Sequence, residues 1–150
     1  MKSRMQTGRL RLAVGVVLAA GLLAGLVLLR GTQGVMSAHY AVDTAAGRIA
    51  YLRALGWTVD PASENVRSQT LPETFDATWQ RYNETMRAQG FDLAPYAGQT
   101  VTVATYALTD RAAPPGTAIV QLWIHSGVVI GGEIHTTALD GEMRGILPEK

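Results

Sequence analysis

Eighteen consecutive residues, Leu12 to Leu29, carry no charged or strongly polar side chain, and this run constrains where the rest of the chain can fold. At 1.5 Å rise per residue a helix of that length spans about 27 Å, close to the roughly 30 Å of a bilayer core. Lys2, Arg4, Arg9 and Arg11 precede it and Arg30 alone follows immediately. The positive-inside bias therefore predicts a cytoplasmic N-terminus and export of everything after the run.

A cleaved signal peptide is the rival reading, but its apolar core usually has about 7 to 15 residues and ends at a small-x-small site. Thr32-Gln33-Gly34 matches such a site poorly, and Met36-Ser37-Ala38 opens with a bulky side chain. The expectation is a retained single-pass anchor. The chain has no cysteine, which excludes a lipid-modified one, and Leu10 separates Arg9 from Arg11, so no twin-arginine signal is present. Gly21 and Gly25 form a GxxxG, seconded by Gly15 and Ala19. That spacing lets two membrane helices pack backbone to backbone, so Gly21 and Gly25 are candidates for helix packing in a homodimer.

The expected organisation is a basic cytoplasmic tail at 1–11, a transmembrane helix at 12–29, a linker at 30–43 and an extracytoplasmic domain at 44–150. Residues 1–30 hold five basic side chains and no acid, whereas residues 31–150 hold eight basic and twelve acidic ones. The outer domain is mildly acidic, which argues against nucleic acid as its partner. About 110 residues suffice for one modest core.

Within that domain the first helix is expected over Thr44 to Leu55, with Asp43 as N-cap and Ile49, Leu52 and Leu55 on one side. Gly56 stops it, and Trp57 is placed to pack back on Leu52 as in a Schellman cap. For the second helix, Thr70 and Glu73 have capping-box spacing, and Phe75, Trp79, Tyr82 and Met86 make one helical stripe that reads as core. Gly90 and Phe91 repeat the stop. Tyr82 and Tyr106 are expected to bring their hydroxyls toward the surface.

Trp57 to Asp60 and Val66 to Thr70 read as short strand pieces. From Thr100 on the period is that of strands: Thr100 to Thr109, Ala118 to His125, Val128 to Leu139 and Met143 to Leu147, separated by Pro114-Pro115-Gly116, Ser126-Gly127 and Asp140-Gly141. The fold class is α+β: after the N-terminal transmembrane helix, two helices packed on one face of an antiparallel β-meander.

A string of local motifs carries a resemblance: Arg53-Ala54-Leu55-Gly56-Trp57, Leu71-Pro72-Glu73-Thr74-Phe75, Tyr82-Asn83, Gln89-Gly90-Phe91-Asp92-Leu93, Tyr96-Ala97-Gly98, Thr105-Tyr106, Val129-Ile130-Gly131-Gly132-Glu133-Ile134 and Asp140-Gly141-Glu142-Met143. In this order they resemble an uncharacterised bacterial family, domain of unknown function 4830, over roughly residues 48–147. The resemblance implies a small membrane-anchored extracytoplasmic domain, largely in Gram-positive lineages. It supplies no activity and no catalytic residues.

Candidate chemistry is sparse. A two-residue turn at Ser126-Gly127 would pair His125 with Val128 and place His135 opposite Ala118, so the two histidines stand more than about 20 Å apart along the strand. One zinc ion cannot bridge them. His125-Ser126-Gly127 lacks the first glycine of a nucleophile elbow, and Ser-Gly is explained by the turn. No P-loop or GxGxxG occurs, and no cofactor or metal is expected.

Gly131-Gly132-Glu133 is the oddest stretch, because paired glycines in a strand mark a bulge or a surface that something approaches closely. Two readings follow. One is a binding site formed by Gly131, Gly132, Glu133 and Trp123, the last expected to pair with Ile130. The other is a bulge that only curves the sheet. For function, the expectation is a non-enzymatic interaction module near the membrane, with an envelope protein or peptide as partner. The alternative is a small hydrolase-like enzyme built around Glu133 and His135.

Overall fold

A computed structural model describes residues 40–109, 117–137 and 141–147. The expected membrane span with Gly21 and Gly25 lies outside the described residues, as do the turn at Pro114-Pro115-Gly116 and Asp140. Among the described residues no helix is long and apolar enough to cross a membrane.

The elements run α1 (Ala45–Ala54), a 3-10 turn (Pro61–Ser63), β1 (Asn65–Thr70), α2 (Ala77–Ala88), a 3-10 turn (Ala94–Tyr96), β2 (Thr100–Ala107), β3 (Ala118–His125), β4 (Val128–Thr136) and β5 (Met143–Gly145). The five strands form one antiparallel sheet in chain order. That is the expected α+β meander.

Both helix ends form as their glycines dictate. Gly56 has φ +94°; its N–H donates to Arg53 O at 2.9 Å and that of Trp57 to Leu52 O at 3.0 Å. Gly90, at φ 91°, does the same with Arg87, and Phe91 with Met86. Each is a Schellman motif, in which the left-handed residue lets the chain turn back to satisfy the last carbonyls. The starts differ from expectation. Thr44, not Asp43, caps α1 through Gly47 N–H at 3.0 Å. Asp76 caps α2 through Trp79 N–H at 2.9 Å, while Thr70 is spent in β1. A side-chain acceptor three residues before a free amide contributes about 1 kcal/mol, and Asp76 holds that position.

The helices cover opposite faces of the sheet, which corrects the expectation that both pack on one. Thr105 pairs with Gln121 and Gln121 with Glu133, so these three side chains share a face. Tyr106, one residue on, points to the other. α2 reaches the first face, where Tyr82 bonds Glu133, and α1 reaches the second, where Arg48 bonds Tyr106. The physical reason is visible in β3 and β4, whose residues are buried almost continuously rather than alternately. A sheet apolar on both sides needs a cover on both. Val103, Trp123, Leu93 and Met86 lie in the core on the α2 side; Leu52, Ala104, Leu122 and Ile134 lie in it on the α1 side.

Ser126 and Gly127 make the two-residue turn with φ +48° and +74°, and His125 pairs with Val128 as expected. Between Trp123 and Ile124 the register shifts by a bulge. Trp123 consequently pairs with Gly131 rather than Ile130, and His135 with Ile119 rather than Ala118.

Candidate functional site

Beneath α2 four side chains form a directed chain of hydrogen bonds. The Trp123 indole N–H donates to the Tyr82 hydroxyl at 2.6 Å. That hydroxyl donates to Glu133 Oε2, and Gln121 Nε2 donates to Glu133 Oε1 at 3.2 Å. His135 Nδ1 lies 3.9 Å from Glu133 Oε1, with a third of its side chain exposed. The sheet pleat creates this grouping: Trp123 and Gln121 are two apart on β3, and Glu133 and His135 two apart on the paired strand.

Glu133 is 4 % exposed, and among the described residues no lysine or arginine pairs with it. Burial raises its pKa, while the Tyr82 hydrogen bond works the other way. Burial and then the neighbouring carboxylate push the Tyr82 hydroxyl strongly upward, so it stays a donor. Around the network the rings meet edge-on or tilted. Phe75 and Trp79 are 5.5 Å apart, Trp79 and Tyr82 5.7 Å, and Tyr82 and Trp123 6.0 Å between centroids. Phe75 and Trp79 are only half-buried, so this aromatic line runs from the surface to Glu133.

The two glycines admit the protein's own side chains. A Cβ on Gly131 would stand 3.1 Å from Leu93 Cδ2 and 3.2 Å from Met86 Sδ; one on Gly132 would stand 2.4 Å from Ile146 Cδ1. One glycine thus opens each face to close packing, α2 side and α1 side. Gln89, at the end of α2, fastens this region by donating to Gly132 O at 3.1 Å and accepting from Ile146 N–H at 2.8 Å.

A second polar cluster lies under α1. Arg48, 6 % exposed, donates to Val42 O at 3.0 Å, Glu64 Oε1 at 2.7 Å and the Tyr106 hydroxyl at 2.9 Å, and Tyr106 donates to Glu64. The bonds from Tyr106 and Arg48 hold Glu64 below the usual carboxylate range. Burial opposes the Arg48 charge, but Glu64 and Tyr106 outweigh it and raise its pKa. Burial and the bond to Glu64 push Tyr106 to about 12.

Thus the structure brings Trp123, Gly131, Glu133 and His135 to one face and turns Gly132 to the other. The hydroxyls of Tyr82 and Tyr106, expected near the surface, instead bond carboxylates 51 and 42 residues away. Gln121 was not singled out by sequence reasoning, yet one polar residue amid Ile119-Val120-Gln121-Leu122-Trp123 is a signal that a buried partner awaits it.

The family described as Domain of unknown function (DUF4830) matches residues 51–134. No curated protein and no solved structure matches the chain. Tyr82, Gln121, Trp123 and Glu133 all fall inside the matched stretch, which covers more than half of the sequence, and the chain belongs to the DUF4830 family.

Proposed function

We propose that this is a membrane-tethered, extracytoplasmic binding module of the bacterial envelope, without catalytic activity, that engages a protein or peptide through the aromatic line on its α2 side. The observation that supports this reading is the arrangement of that line. The polar groups nearest it are committed to one another around Glu133, while Phe75 and Trp79 remain half-buried at the surface beside them. Aromatic side chains supply large contact area at low entropic cost, and they are enriched where proteins meet.

The tether rests on Leu12 to Leu29 and its basic flank. Protease added to intact protoplasts is expected to remove the domain, and full protection would overturn the topology. A photo-crosslinking residue at Phe75 of the full chain should give a discrete envelope adduct that is absent when the same group stands at exposed Glu84. Equal patterns from both positions would discard the aromatic line as the contact.

One contact favours the enzyme reading: Glu133 lies 3.9 Å from a partly exposed imidazole, and a carboxylate beside histidine can orient it as a base. Hydrolysis of ester or glycoside probes that disappears in Glu133→Gln would support it.

A further inference from the structure

Among the described residues the sheet has one long exposed edge. There β1 pairs with β2 alone, and of its six residues none is buried, Val66 being 48 % exposed. Leu71 N–H donates inward to Gln99 O at 2.9 Å and Asn65 O accepts from Thr105 Oγ1, so the odd-numbered residues turn their peptide groups toward β2. In an antiparallel ladder the alternate residues turn theirs away. Val66 and Ser68 therefore present N–H and C=O groups along the open edge, and Thr70 its N–H, its carbonyl accepting from exposed Gln69 Nε2 at 3.2 Å. Proteins ordinarily blunt such an edge with charge, proline or a cover, and between Asn65 and Thr70 there is one charge and no proline.

We propose that β1 is a self-association edge that pairs antiparallel with β1 of a second copy of this chain, joining the two sheets. The choice of occupant follows from charge and register. A two-fold axis that joins two edges of this kind keeps equivalent faces on one side, so residues of the same parity stand opposite one another. With the axis at Ser68, Val66 faces Thr70 of the second copy and Ser68 faces its own equivalent, so the outward groups of these residues exchange hydrogen bonds. Arg67 then faces Gln69 of the other chain. The same two side chains already bond within one strand, Arg67 Nη1 to Gln69 Oε1 at 2.5 Å. Moving the axis to Arg67 would set Arg67 against Arg67, a like-charge pair at the closest approach in the ladder. The strand's single charge thus opposes the register centred on Arg67, whereas an axis at Ser68 sets it against a side chain of the kind it already bonds.

Such an edge buries little apolar area, so its pairing gains from any confinement that raises local concentration, the proposed anchor included. The test uses the full chain in membranes with single introduced cysteines, there being none in the natural sequence. Opposed residues in a hydrogen-bonded antiparallel pair have Cα atoms about 5.5 Å apart, within disulfide reach. Under mild oxidation Ser68→Cys is expected to form disulfide dimers about tenfold faster than Met143→Cys, which is also exposed, on β5 at the other edge.

A mixture of Arg67→Cys and Gln69→Cys chains should crosslink faster than either alone. Adding Val66→Pro, which removes an outward N–H and leaves the ladder to β2 intact, should return crosslinking of that mixture to the Met143→Cys rate. Equal rates for Ser68→Cys and Met143→Cys would overturn the edge. Such a result would leave the tether untouched, because pairing through the anchor alone brings domains together without preferring one edge. No advantage for the mixture would overturn the register, and so the argument for a second copy.

Discussion

The two faces of the sheet each hold a glutamate bonded to a tyrosine, and they do so in opposite ways: Glu64 is a quarter exposed and Glu133 is buried. On the α1 side Glu64 is met by the Arg48 guanidinium as well as by Tyr106. On the α2 side Glu133 is met by Tyr82 and Gln121, neutral donors, with a histidine beyond bonding distance. One carboxylate is held in its charged form and the other is pushed toward its neutral form. The first cluster reads as a fastener between α1, the segment before it and β2. The second holds a buried acid among neutral donors at the inner end of an aromatic line that reaches the surface at Phe75 and Trp79.

The largest expected effect tests the fastener. Arg48→Met keeps most of the buried stem but removes the charge, leaving Val42 O without its donor and Glu64 with Tyr106 alone. Breaking one half of a buried pair costs about 3 kcal/mol or more, and the partial exposure of Glu64 puts this case at the low end. Glu133→Gln on the other face retains an acceptor for Tyr82 and should change stability by less than about 1 kcal/mol. Urea unfolding of the two variants compares the faces directly, and equal losses would dissolve the distinction.

Next comes the close approach at Gly132. Its Cβ would stand 2.4 Å from the Ile146 Cδ1 methyl, so Gly132→Ala should cost about 2 kcal/mol by overpacking. The methyl is the far end of a movable side chain. Ile146→Val removes it, and the double variant should recover at least half of the loss in a thermodynamic cycle. Additive losses would place the strain in the backbone instead.

Acid titration separates the faces by sign. Glu64 has a folded pKa below its ordinary value of 4.5, so its contribution is present above that pH and lost as the pH falls through the folded pKa. Glu133 has a folded pKa above 4.5, so the folded state is favoured below 4.5 and loses that advantage as the pH rises through the folded pKa. Midpoints of thermal unfolding for Glu64→Gln and Glu133→Gln, each taken as a difference from the natural chain, should therefore diverge as the pH is raised. Glu64→Gln falls behind and Glu133→Gln gains. Parallel difference curves would mean that the two carboxylates do not differ in state.

What could be read in advance was local. Gly56 with Trp57, Gly90 with Phe91, and Ser126 with Gly127 each fix a turn within six residues, and all formed as their chemistry requires. The pairing of β3 with β4 followed from their two-residue turn, whereas the place of β1 beside β2, across the 29 residues that hold α2, was not legible. Nor was the side taken by each helix, since β3 is apolar toward both faces and either helix could have covered either one. Gly131-Gly132 signalled the bulge that lies beside them but not the shift in register that it brings, so the partners of Trp123 and His135 were misplaced by one. The polar networks were hidden for a related reason. Tyr82 and Glu133 are joined only after α2 is laid across the sheet, and nothing in the neighbourhood of either residue names the other.

A third tyrosine gives the smallest and sharpest contrast. Tyr51 is fully buried in α1, as Tyr106 is in β2, but its hydroxyl has no hydrogen-bond partner among the described residues, and burial pushes its pKa to about 12. Removing a hydroxyl that is already unpaired relieves its desolvation and strands nothing else, so Tyr51→Phe should be neutral or stabilising by up to about 1 kcal/mol. Tyr106→Phe removes the hydroxyl that bonds both Arg48 and Glu64, which keep each other as partners, and should cost about 1 kcal/mol. If Tyr51→Phe instead destabilises the domain by a similar amount, the hydroxyl has a partner in solution, and a buried water beside the Tyr40 ring, which contacts Tyr51 edge-on at 5.9 Å, becomes the first place to look.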